Sequence, residues 1–128
     1  MTKITSAAAE PAVRIPPNIT RALAAAAYIA IGMASLVPKA LRPSTGIIPG
    51  AAEHFCAYFV LGIVTALAFR ERTSLGKLAA LNAIYAGILE IGQIFVPGRV
   101  STPVDFAASA LGSCAAIALL ALWRRKAA

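Results

Sequence analysis

Four apolar runs, each close to the length that crosses a bilayer, leave this chain almost no way to fold in water. They lie at about residues 22–37, 51–69, 78–96 and 103–123. A helix rises about 1.5 Å per residue, so roughly 20 residues cross a hydrocarbon core about 30 Å thick. None of the runs shows the apolar–polar alternation of a barrel strand, and an open sheet edge has no place in lipid. The predicted fold is therefore all-α, a four-helix transmembrane bundle. Composition agrees: hydrophobic residues make up 59% of the 128 and charged residues only 13%, and the mean hydropathy is +0.78. A soluble domain of this size carries about twice that share of charge.

Pro38 ends the first run, because its ring excludes the next helical hydrogen bond. Residues 1–20 carry Pro11, Pro16 and Pro17 among scattered polar groups and read as an irregular tail. The membrane domain is then residues 21–126, two helical hairpins joined by the polar turn 70–77. The first run starts only after Arg21 and lacks a small-residue cleavage site, so it reads as a retained span rather than a secretory signal. Cys56 and Cys114 both fall inside apolar runs, where buried thiols rather than a disulfide are expected.

The formal charge is +7, and its distribution decides what that means. Nine of the basic residues, Lys3, Arg14, Arg21, Arg70, Arg72, Lys77, Arg124, Arg125 and Lys126, fall on one side of the predicted spans, whereas Lys39, Arg42 and Arg99 fall on the other. Charges that flank apolar runs follow the positive-inside rule and do not form the basic stripe of a nucleic-acid binder. Both termini are therefore expected in the cytoplasm of a multi-pass membrane protein, with membrane lipids as its partners and Trp123 as an interfacial anchor. In the fourth span, Ala108, Gly112 and Ala116 recur every fourth position, with Ser109 and Ser113 on the next stripe. Small residues so spaced let helix backbones approach closely, so this helix is the expected packing hub.

The remaining polar residues gather at the other end. Glu53 and His54 open the second span, Glu90 and Gln93 sit late in the third, and Arg99 and Asp105 bracket the following turn. Counted back from a span boundary at Val96, Glu90 lies about 9 Å inside, where an unpaired carboxylate is costly and must face the bundle. Glu90 and Gln93 share one helix face, His54 and Tyr58 another; Glu53, next to His54, points elsewhere and is expected to be solvated. Asn82, Tyr28 and Tyr85 read as packing or interhelical bonding.

The segment His54-Phe55-Cys56-Ala57-Tyr58 resembles the His-x-x-x-Tyr element of the VanZ-like family of bacterial membrane proteins. The run Glu90-Ile91-Gly92-Gln93-Ile94-Phe95-Val96-Pro97-Gly98-Arg99, with Asp105 and Gly112 after it, is similar to that family's Glu-x-x-Gln, Pro-x-Arg and Asp-to-Gly pattern. The likeness covers about residues 49–112. Two positions depart from the pattern: Gly50 and Ala51 stand where the family often has Asp-Lys, and Ser109 where it has Asn. The resemblance implies a small cell-envelope protein of the bacterial inner membrane; the family takes its name from a protein associated with teicoplanin resistance.

Three readings of the cluster stand. An interhelical network would fix helix register, with Arg99 neutralising a carboxylate at the rim. A headgroup pocket would use the planar donor fork of Arg99 for phosphate, with Gln93 and Ser109 as neutral partners. An enzyme would use Glu90 or Asp105 as general base and His54 as its acid partner. The expected site is thus His54, Tyr58, Glu90, Gln93, Arg99, Asp105 and Ser109, contacting a membrane lipid or a lipid-linked cell-wall precursor. No catalytic residue is assigned. A single histidine gives no metal-site pattern, and neither a phosphate loop nor a nucleophile motif is present, so no cofactor or metal is expected.

Overall fold

A computed structural model describes residues 14–42 and 46–127. They form α1 (Pro17–Leu36), a 3-10 turn (Lys39–Leu41), α2 (Gly50–Phe69), α3 (Leu75–Gln93) and α4 (Pro103–Ala127). All four α-helices are long and apolar enough to cross a membrane, and no strand occurs among the described residues. Most of each helix surface has no protein covering it: Ile29, Met33, Ile84, Ile88, Ile91, Leu111 and Leu119 are each more than half exposed. Water would penalise so large an apolar surface, whereas acyl chains cover it without cost. The chain is a multi-pass membrane protein.

Helix α4 continues four residues past the expected end at 123, to Ala127, and local chemistry moves three other boundaries from the sequence expectation. Helix α1 begins at Pro17 rather than after residue 20, because proline at the first helical position has no N–H to lose and its φ is already helical. Residues 17–20, expected in the irregular tail, are its first turn, while Lys3 and Pro11 lie outside the described residues. Helix α3 is shifted by three residues at both ends. The Ser74 hydroxyl accepts from the Lys77 backbone N–H at 3.3 Å, which starts the helix at Leu75. The helix stops at Gln93, where a turn through Gly98, at φ +74°, reverses the chain.

Helix α2 packs most extensively on α4, and α1 lies against α2 and α3 without reaching α4. The expected small stripe is at the α2–α4 seam: Ser109, Gly112, Ser113 and Ala116 are buried, with Ala108 partly so. A Cβ on Gly112 would run into the Phe55 backbone, and one on Gly62 would meet Ser113 O at 2.7 Å. Glycine at these two positions is what allows the helices their separation. Gly62 is the half of this contact that the sequence reading missed.

At mid-bundle the Asn82 amide, fully buried, donates to Thr65 Oγ1 at 3.1 Å and Ser113 Oγ at 2.8 Å. Its carbonyl accepts from the Tyr28 hydroxyl, and the Tyr85 hydroxyl donates to the Tyr28 carbonyl. One asparagine thereby links all four helices, as the interhelical bonding expected of Asn82, Tyr28 and Tyr85 requires. The cysteines differ from expectation. Both are exposed on the outer surface of the bundle, because in lipid an apolar run says nothing about which face is buried.

Candidate functional site

The antiparallel order brings the end of α1, the start of α2, the end of α3 and the start of α4 to one end of the bundle. Every sequence-predicted site residue lies there. A cleft of about 70 Å³ opens among them, and its polar lining is Ser35, Arg42, Glu53, His54, Tyr58, Gln93 and Arg99. His54 and Tyr58 meet it from one face of α2 and Gln93 from the last residue of α3, as their spacings predict.

Glu90 sits behind this lining, 8% exposed. It is three residues from the end of α3, so about 4.5 Å of helix separates it from the terminus rather than 9 Å. Its Oε2 accepts from the Ser101 hydroxyl at 2.7 Å, and its Oε1 is 3.9 Å from His54 Nδ1. That ring nitrogen also lies 3.3 Å from Ser109 Oγ, and the Ser109 hydroxyl is 2.9 Å from the Asp105 carbonyl. Glu90, His54, Ser101 and Ser109 thus tie α2, α3 and α4 together.

Arg99 is held differently from the expected carboxylate pairing. Its Nε donates to the Val37 carbonyl at 3.2 Å and its Nη2 to the Ala34 carbonyl. These belong to the last turn of α1, whose carbonyls have no partner within the helix and whose dipole favours a cation. Among the described residues Arg99 makes no ion pair within 4.0 Å. Burial, and then the neighbouring Arg42 charge, push its guanidinium below the ordinary value, with Glu90 acting the other way. Arginine remains protonated through such a shift.

Gln93 carries the unresolved polar group of the site. It is 2% exposed, and its Nε2 has no hydrogen-bond partner among the described residues. A buried amide left this way costs roughly 1–3 kcal/mol, so such groups in native proteins call for a partner. The cleft that Gln93 lines is where one can enter.

Ser109, expected as a neutral partner in the pocket, is 1% exposed and does not line the cleft, and two further residues stand apart from the expectation. Asp105 contributes no side chain to the cleft; the Thr102 hydroxyl donates to its Oδ2 at 2.8 Å while Thr102 Oγ1 accepts from the Asp105 N–H at 3.1 Å. That is a capping arrangement before Pro103, legible as Thr-x-x-Asp ahead of an apolar run. Glu53 is not solvated: Arg42 Nη2 bonds its Oε2 at 3.0 Å, and its side chain is 13% exposed. Arg42 and Ser101 are the participants the sequence reading missed. Neither has a spacing relation to its partner, since both lie on connections between helices.

Chemically, the cleft offers two guanidinium groups, one balanced by Glu53, and a free amide donor. That set suits an anionic oxygen. Among the described residues no three His, Cys, Asp or Glu side chains converge as a metal would require.

Residues 15–124 match the family model described as VanZ/LLP1, an extent that takes in all four helices rather than the motif-bearing half alone. No curated protein and no solved structure matches the chain.

Proposed function

The chain belongs to the VanZ/LLP1 family, and from that premise we propose that its polar cleft binds the phosphate-bearing headgroup of a membrane lipid or lipid-linked envelope precursor. The observation that carries this reading is the buried Gln93 Nε2 without a partner, in the same cleft as an Arg99 without a carboxylate. A phosphate oxygen would accept from both. The about 70 Å³ of space exceeds the roughly 10–15 Å³ that one water needs, and suits one compact polar group while the lipid tails remain outside the bundle. The basic residues support an orientation: Arg14, Arg21, Arg70, Arg72, Lys77, Arg124, Arg125 and Lys126 gather at the opposite end of the described bundle. By the positive-inside rule that end is cytoplasmic, and the cleft opens on the outer face of the inner membrane.

Orientation is tested with single cysteines in a background lacking Cys56 and Cys114. Val100→Cys in whole cells should react with an impermeant maleimide, and Thr73→Cys only after permeabilisation. The reverse pattern would put the cleft on the cytoplasmic side.

Binding is tested by native mass spectrometry of detergent-purified protein. Wild type should retain a phosphate-bearing lipid, and Gln93→Met should lose it at least about tenfold, the effect of one hydrogen bond to a charged group. Because methionine carries no unpartnered buried amide, the substitution should hold or raise thermal stability, by up to about 1–3 kcal/mol in lipid-free protein. Equal lipid retention in both proteins would reduce the cleft to a joint between helices.

A further inference from the structure

A second groove lies at the basic end of the bundle, where the ends of α2 and α4 meet the start of α3. It has a volume of about 230 Å³ and is lined by Ala66, Leu75, Leu120 and Ala121, with Arg70, Glu71 and Arg124 at its rim. Below it lies the apolar cluster of Ala66, Leu78 and Ile117, on which Leu75 and Leu120 pack. The groove is therefore apolar in its floor and charged at its mouth. Arg124 is half-buried, whereas its neighbour Arg125 is exposed.

We infer that this groove is a binding site for an anionic phospholipid, with the phosphate between Arg70 and Arg124 and the start of an acyl chain along Leu75 and Leu120. Charge complementarity decides the occupant. The rim's one carboxylate, Glu71, is 3.7 Å from Arg70, but its side chain is 80% exposed, and a pair so open to solvent holds its partner only weakly. Arg124 makes no ion pair within 4.0 Å among the described residues. Arg14, Arg21, Arg72 and Lys77 add positive field at the same end, and each basic residue near the surface favours anionic lipid. A soluble anion would satisfy the arginines and leave the apolar floor uncovered, whereas a phospholipid covers both. This site is at the other end of the bundle from the headgroup cleft and does not rest on it.

The sole tryptophan, Trp123, precedes Arg124 and is 65% exposed, so it samples the acyl chains beside the groove. Reconstituted in phosphatidylcholine vesicles containing a minor fraction of phosphatidylglycerol brominated on its acyl chains, the protein should show Trp123 quenching as if the local brominated fraction were roughly fivefold above bulk. Brominated phosphatidylcholine at the same fraction should quench at the bulk level. Arg124→Gln should return the phosphatidylglycerol signal to bulk, and so should Ala121→Phe, which fills the groove without changing charge. Arg125→Gln removes the same charge outside the groove and should leave the enrichment intact. The inference is overturned if wild type quenches in proportion to bulk, or if Arg125→Gln lowers the signal as much as Arg124→Gln, which would leave only diffuse attraction to a basic surface.

Discussion

Gly112→Leu should lose about 3 kcal/mol of stability in a detergent unfolding titration, a large share of the margin a domain has. A leucine side chain begins with a Cβ, and at Gly112 that atom alone would lie 3.0 Å from the Phe55 carbonyl carbon and 3.1 Å from its Cα, with the carbonyl oxygen nearer still. The obstacle is backbone, which has no rotamer to change. Relief requires α2 and α4 to separate along the most extensive helix contact of the bundle, which would also strain the Gly62–Ser113 approach. Even Gly112→Ala should destabilise, although alanine is the better helix former by about 1 kcal/mol. Gly76→Ala is the internal control. Nothing lies within 4 Å of a Cβ there, so propensity acts alone and stability should hold or rise. If Gly112→Leu instead unfolds with wild type, α4 turns this face to lipid and the α2–α4 seam is misassigned.

The small stripe could be read from sequence because close approach in a membrane demands small side chains whatever surrounds them. Burial could not be read the same way. In water an apolar face marks the core, but a bundle in lipid is apolar inside and outside, so Cys56 and Cys114 gave no sign that they point outward. The same ambiguity moved the end of α3. Ile94, Phe95 and Val96 continue the apolar run past the last helical residue, Gln93, and hydropathy alone carries the span through them. Local chemistry was the better guide at both ends, in the Ser74 cap and in the Pro97-Gly98 turn.

For the site, the sequence identified which residues gather at one end but not who holds whom. Glu90, Gln93, His54 and Tyr58 converge because helical spacing and antiparallel order fix their faces and depth. The partners of Arg99 were invisible for a physical reason: they are backbone carbonyls of α1, present at every residue and marked by no side chain. A charge near a carboxylate in sequence invites pairing the two, yet Ala34 and Val37, more than sixty positions earlier, take its hydrogens.

That difference predicts how Arg99 and Glu90 respond when both are changed. Arg99→Gln should cost about 2–4 kcal/mol, because hydrogen bonds from a charged group contribute roughly 1.5–3 kcal/mol each and glutamine replaces them only in part. Glu90→Gln should cost about 1 kcal/mol, since its carbonyl oxygen can still accept from Ser101 but without the charge. The double variant should equal the sum within about 0.5 kcal/mol, as sites with separate partners do. Glu90 and Arg99 form no ion pair within 4.0 Å, and each has its own hydrogen-bond partners. A double variant more stable than Arg99→Gln alone would mean that the charges compensate each other directly and that Arg99 is a register pin for α3. Additivity leaves Arg99 anchored to α1 through Nε and Nη2, with its remaining N–H groups available in the cleft. An arginine fixed along one edge loses little side-chain freedom when an anion binds the other. Its stability cost and its ligand contact are then separate properties of one side chain, which is why Gln93, whose amide nitrogen has no partner to lose, is the residue whose substitution should lower binding without lowering stability.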